Sequence, residues 1–161
     1  MNELPITYRG TVYPWHCDHM GHMNVMWYVG KFDEASWQIL ASLGLTRTRT
    51  REKGIGAVAV EQHINYKREL LAGDIVTIRS GVIEVENKVL RLFHEMRNEE
   101  TGEIAATMTV VAIHIDIHAR KARALPEDIR ERALNMLTGG SGDFAGSQET
   151  LSDLAKPSCF V

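Results

Sequence analysis

Residues 15–28 read W-H-C-D-H-M-G-H-M-N-V-M-W-Y and hold the densest set of chemically useful side chains in the sequence. One carboxylate, Asp18, stands among His16, His19 and His22, with Trp15 and Trp27 on either side. Gly21 follows, and an amphipathic run begins just after Asn24. The order strand, polar loop, glycine, helix start sets an acid beside backbone N–H groups that lack intrahelical partners. A carboxylate next to an oxyanion-binding helix terminus suits hydrolysis of an activated acyl group. The acid would either activate a water or attack the carbonyl itself to form a mixed anhydride. Asp18 is the candidate for either role.

Each of these residues also has a plainer reading. Asp18 could cap a turn. His22 and Asn24 could hold Asp18 or a water, or simply serve loop hydrogen bonding and helix capping. His16, Asp18, His19 and His22 supply enough donors for a divalent ion, but their spacing matches no helical H-x-x-x-H pattern, and no metal or other cofactor is expected. Cys17 with a nearby histidine as base is a further nucleophile to weigh. The adjacent Asp18 carboxylate opposes a thiolate there, and alternation at a strand end aims neighbouring side chains apart. Trp15 and Trp27 are either packing residues or an aromatic wall for the acyl group. Such a wall could stack an aryl ring or hold a quaternary ammonium by cation–π contact.

The elements that must position these residues follow from periodicity. Residues 6–14 read as a strand stopped by Pro14. Tyr28, Phe32, Ala35, Ile39 and Leu43 recur every three or four residues, which predicts a helix over about 25–43 with Asn24 as N-cap and Gly44 just past its end. Residues 46–54 form a basic linker or a short helical turn. Four long strands are predicted over about 57–69, 74–86, 88–98 and 103–118, and their length implies strong curvature. Gly81 is a candidate bulge. The last strand is apolar or small on both faces, so it should be central or covered by a partner. Pro126 opens a final helix. Residues 1–137 thus read as a single domain. The Gly- and Ser-rich 138–161 read as a flexible tail.

Composition narrows the class. A net charge of −3 argues against a nucleic-acid binder. No apolar run approaches the roughly 18 residues of a membrane span, and the N-terminus has no signal-peptide pattern. Only Cys17 and Cys159 occur, far apart, which fits free thiols in a cytoplasmic protein.

One long helix followed by a run of antiparallel strands is an α+β arrangement in which a curved sheet wraps the helix. Over about residues 6–136 the chain resembles the hotdog-fold acyl-CoA thioesterases of the 4-hydroxybenzoyl-CoA thioesterase-like family. The marks are C-D-H-M-G-H-M-N, the spacing from Asp18 to Phe32-Asp33-Glu34-Ala35, and A-G-D before a Val/Ile strand. G-H-M-N is similar to the G-H-V-N form of the wider superfamily and departs from the narrower 4-hydroxybenzoyl signature. The resemblance therefore implies the family rather than that one acyl group.

It implies further that Asp18 is the catalytic acid and that the amide of Val25 faces the thioester oxygen. His22 and Asn24 would shape the loop. Glu61, His63 and Asn65 share one face of the second strand, which in such dimers faces the active site across the interface; the plainer reading is solvent-facing alternation. Arg120, Lys121 and Arg123, or else Arg47, Arg49 and Arg51, could meet the phosphates of coenzyme A, and the resemblance favours the first set. The expected substrate is a short or aromatic acyl-CoA, including one bearing a quaternary ammonium. A homodimer is expected because one helix on one sheet leaves an open edge, with pairing of dimers as a further step. Rival readings are a hotdog hydratase, opposed by Met23 at the position where its histidine would stand, and an acyl-CoA-binding protein without turnover.

Overall fold

The computed structural model describes residues 3–138. Its elements run β1 (Ile6–Thr11), α1 (Val25–Ser42), α2 (Arg47–Lys53), β2 (Ile55–Tyr66), β3 (Ile75–Val85), β4 (Val89–Asn98), β5 (Ile104–Asp116), β6 (Lys121–Ala122) and α3 (Glu127–Asn135). A 3-10 turn, Pro14–His16, lies between β1 and α1. The strands form one antiparallel sheet in the order β1-β3-β4-β5-β2, with β6 added to the end of β5. The α+β arrangement expected from the sequence is present, with β5 inside the sheet and β1 and β2 at its edges.

The chain forms α1 for the reasons its pattern gives. Asn24 is extended and its side chain accepts from the Met26 amide, which fixes the start. Tyr28, Phe32, Ala35 and Ile39 are buried on one face, and Leu43 caps the stripe. At the far end the Gly44 N–H reaches Ala41 O and the Leu45 N–H reaches Leu40 O, a Schellman ending that needs the left-handed φ of 99° at Gly44. This stripe packs onto Ile78, Val82, Leu90, Leu92, Met96, Met108 and Val110 of β3, β4 and β5. Removing a residue such as Phe32, fully buried there, should cost about 3–5 kcal/mol. α3 adds Ile129 and Ala133 to the same core.

Two local expectations need correction. β1 ends at Thr11 rather than residue 14, because the chain turns into the 3-10 segment at Pro14. The irregularity in β3 falls between Val82 and Glu84, while Gly81 stays in register with Phe93. Gly81 is needed for a close approach instead: a Cβ there would sit 2.8 Å from Leu4 and 2.9 Å from Thr138. Thr138 donates to Val82 O, 3.0 Å from its amide, and the rest of the expected tail lies outside the described residues. The basic stretch 46–54 takes the helical alternative, capped by Thr46 and ended by Gly54 in the left-handed region.

Candidate active site

The loop between the 3-10 turn and α1 is a small closed hairpin. The Asp18 amide donates to His22 O at 3.2 Å and the Gly21 amide to Asp18 O at 3.0 Å. Gly21 takes a φ of 84°, a turn conformation that a side chain would strain. Met23 pins the loop from below: its side chain is buried and its amide donates to Leu70 O at 2.7 Å. The loop is therefore held by the core and not by solvent.

Asp18 sits at the open side of this hairpin. Its Oδ1 accepts the Met20 amide at 2.9 Å and its Oδ2 accepts the Asn24 side-chain Nδ2 at 2.8 Å. These bonds favour the ionised form, the Asn24 bond most, and hold the carboxyl below the ordinary carboxylate range. Asn24 uses its other amide atom, Oδ1, to accept the Met26 amide at 3.0 Å. One side chain thus starts α1 and orients the acid, so the capping and acid-holding readings of Asn24 both hold. The turn-capping reading of Asp18 holds too, because the Met20 bond is an Asx turn.

The next amide, that of Val25, is the first of α1. Asn24 Oδ1 is taken by Met26, and the Trp27 amide goes to Asn24 O at 3.0 Å. Among the described residues the Val25 N–H has no hydrogen-bond partner, and Val25 is 55% exposed. It is an open donor at the positive end of an 18-residue helix, seven positions from the carboxylate.

The histidines diverge. His22 Nε2 lies 3.6 Å from Glu69 Oε1, His19 is exposed, and His16 is buried. No group of three His, Cys, Asp or Glu side chains among the described residues is placed to hold a metal ion. Cys17 packs against the core, with its Sγ 3.9 Å from Tyr13 O.

Trp15 and Trp27 both contact the His16 ring. Trp15 stacks on Tyr13 at 4.4 Å, nearly parallel, and remains 67% exposed. Trp27 lies against the His16 ring at 4.2 Å, and Trp15 meets His16 edge-on at 6.0 Å. Tyr13 and His16 are the members of this cluster that sequence reasoning did not assign to it. Their signal was the Y-P-W-H stretch, in which a proline starts a tight turn and folds the aromatic rings onto one another.

The remaining candidates lie elsewhere on the chain. Glu61, His63 and Asn65 pair across the ladder with Val111, Thr109 and Thr107. Their neighbours Gln62 and Ile64 pair with the buried Val110 and Met108, so the trio occupies the face of β2 turned away from the core. Among the described residues none of the three bonds to the Asp18 loop. Tyr66, the last residue of β2, does contact Tyr28 in the first turn of α1 at 5.2 Å.

Arg120 and Lys121 are exposed, and Arg123 is paired with Asp116 at 3.5 Å. The two basic sets that the sequence offered as alternatives are neighbours: the Ile117 amide donates to Gly54 O, joining the β5–β6 turn to the end of α2. Arg49 is engaged by Asp128, with Nη2 to Oδ1 at 2.7 Å.

The thioesterase-like superfamily model matches residues 12–133, a span that includes the whole loop, α1 and the sheet from β2 to β6. The chain belongs to that superfamily, and with it to the hotdog-fold acyl-CoA thioester hydrolases. It is 34% identical over 134 residues, 81% of its length, to an L-carnitine dehydrogenase/betainyl-CoA thioesterase of Agrobacterium fabrum, and spans 27% of that longer protein. It is 28% identical over 123 residues to a long-chain acyl-CoA thioesterase of Escherichia coli, covering 76% of this chain and 92% of that one. A Staphylococcus aureus protein solved in complex with CoA superposes with a TM-score of 0.79 at 23% identity, over 89% of this chain and 92% of that one.

Proposed function

We propose that the chain hydrolyses short or aromatic acyl-CoA thioesters, including one whose acyl group ends in a quaternary ammonium, at the Asp18 loop. The observation that carries this reading is the pairing of a doubly hydrogen-bonded carboxylate with the open Val25 N–H at the head of the same helix. In this reading the thioester oxygen takes the Val25 N–H while charge builds on it. Asp18 either draws a proton from an attacking water or adds to the carbonyl carbon. On the water route the C–S bond breaks, the CoA thiolate takes up the proton Asp18 removed, and the acid is free; on the direct route CoA leaves as the thiolate, to be protonated from solvent, and a water then hydrolyses the Asp18 mixed anhydride to the acid and the regenerated carboxylate. An Asp18 kept ionised suits both routes, because each needs the anion.

The aromatic cluster supports the acyl assignment. Tyr13, Trp15 and Trp27 offer π faces beside the loop, which suit an aryl ring or a cationic ammonium better than a long flexible chain. The name of the Agrobacterium fabrum relative, a betainyl-CoA thioesterase, points the same way. His22 shapes the loop through its carbonyl, and Asn24 orients the acid.

The working unit in this reading is a homodimer paired along β2. That strand is 12 residues long, stands at the edge of the sheet formed by the described residues, and exposes Val58 and Val60. Arg120, Lys121 and Arg123 lie beyond the C-terminal end of α1, about 27 Å of helix from the Asp18 end. An antiparallel partner would bring its Ile55 end, and with it its basic turn, beside this chain's Tyr66 end. CoA phosphates would then be met by the partner's copies of these cations, and Glu61, His63 and Asn65 would line the interface.

The test is release of free thiol from a panel of acyl-CoAs. Aryl, short-chain and betaine-like thioesters should turn over, and Asp18→Asn should lower kcat by roughly 10²–10⁴ with an unchanged circular dichroism spectrum. A preference for long straight chains would refute the acyl assignment. Normal turnover by a folded Asp18→Asn protein would remove the acid from the reaction.

A further inference from the structure

His16 is 7% exposed and makes no contact with the Asp18 side chain, yet its bonds lead to it. Its Nδ1 accepts the Tyr13 amide at 3.0 Å, and its own amide donates back to Tyr13 O at 2.9 Å. This reciprocal pair closes the 3-10 turn. The same residue's carbonyl accepts the Asn24 amide at 2.9 Å. Asn24 in turn caps α1 and donates to Asp18 Oδ2. The ring is clamped on Trp27 from α1 and edge-on to Tyr13 and Trp15 from its own turn. A run of two bonds therefore connects the imidazole to the orientation of the acid.

We propose that His16 is a positioning residue for thioester hydrolysis, and that it works only as the neutral imidazole with its proton on Nε2. The claim rests on the reading of Asp18 as the reacting acid. An acceptor at Nδ1 is what the Tyr13 amide requires. Protonation would set N–H against N–H there, open the turn, and shift the carbonyl that holds Asn24. The charged group acting on the ring is Lys31 of α1, and Tyr13 is the other titratable group in contact with it. Burial first, and the Lys31 cation second, hold the imidazole pKa below the ordinary 6.5, so the neutral form prevails at neutral pH.

Two substitutions separate the acceptor from the ring. His16→Phe keeps an aromatic ring on Trp27 and removes the acceptor. His16→Asn gives up the ring and keeps a side-chain oxygen near the place of Nδ1. Phenylalanine should lower kcat by about 10²-fold with little change in KM, the loss typical of a small displacement of a reacting group. Asparagine should restore most of it. The acid limb of kcat/KM should also move: wild type loses activity as His16 protonates, whereas His16→Asn should stay active to lower pH. Full activity of His16→Phe, or an acid limb in His16→Asn that matches wild type, would overturn the proposal. If His16→Phe does not fold, the pH profile of His16→Asn decides alone. An inactive Asp18→Asn beside a fully active His16→Phe would sink this inference and spare the hydrolase reading; an active Asp18→Asn would sink the reading itself.

Discussion

Asn24 shows how much one residue can carry in this site. Its two amide atoms are divided between the Met26 amide and Asp18 Oδ2, so it cannot flip without losing both bonds. Asn24→Ala should therefore do two separable things. Loss of the helix cap should cost about 0.5–2 kcal/mol, read as a lower urea midpoint. Loss of the main bond that favours ionised Asp18 should raise that carboxyl's pKa; in the His16→Asn background, where His16 no longer sets the acid limb of kcat/KM, that limb should shift to higher pH. An unshifted limb would mean that Asn24 does not set the acid's charge state. At this scale much was legible: Asp18, Gly21 and Asn24 stand where the sequence pattern put them. The role of His16 was not, because a side chain that works through two backbone bonds leaves no spacing rule to read. Among possible ligands it looked like one of three histidines, and only the fold shows that the three point apart.

Among the elements, α1 was the most legible, since its stripe, cap and closing glycine agree with one another. The strands were found with their ends exact or off by up to three residues. The two-residue β6 was missed because so short a run carries no alternation. Nor does any pattern announce that a buried polar chain crosses the core. His94 on β4 is fully buried between Ser36 of α1 and Ser80 of β3, with Nε2 3.0 Å from one hydroxyl and Nδ1 2.6 Å from the other. Burial pushes its pKa from 6.5 down to about 4.

The unfolded chain then binds a proton that the folded one refuses between those values. The stability this group contributes is full above about 6.5 and is lost as pH falls through the window to about 4, on the order of 3 kcal/mol in all. Urea unfolding at pH 7 and pH 4.5 should show that drop. His94→Leu should show a smaller one, and it leaves Ser36 bonded to Phe32 O and Ser80 to Thr7 Oγ1. An equal drop in both proteins would assign the pH dependence to other groups.

The whole molecule has an exposed apolar edge at one side and the exposed cations Arg120 and Lys121 in the turn after β5. Val58 and Val60 on the outer strand are 41% and 55% exposed among the described residues. Light scattering should give a dimer mass, and Val58→Lys with Val60→Lys should shift it toward the monomer. A monomeric wild-type protein of full activity would contradict the proposed arrangement. Charge reversal at Arg120 and Lys121 should raise KM for acyl-CoA several-fold with kcat little changed, because a phosphate contact far from the carbonyl contributes equally before and during reaction. An unchanged KM would place the CoA phosphates elsewhere. The sequence suggested an open edge but could not show which strand forms it, since strand order depends on pairing between segments far apart in the chain.

The most direct test of the site is a crystal structure with a non-hydrolysable acyl-CoA analogue that retains the carbonyl. The carbonyl oxygen should lie about 2.7–3.1 Å from the Val25 nitrogen. Asp18 should stand about 3–3.5 Å from the carbonyl carbon, or reach it through one ordered water. An analogue bound with its carbonyl remote from the Val25 amide, and with Asp18 facing only solvent, would contradict the account.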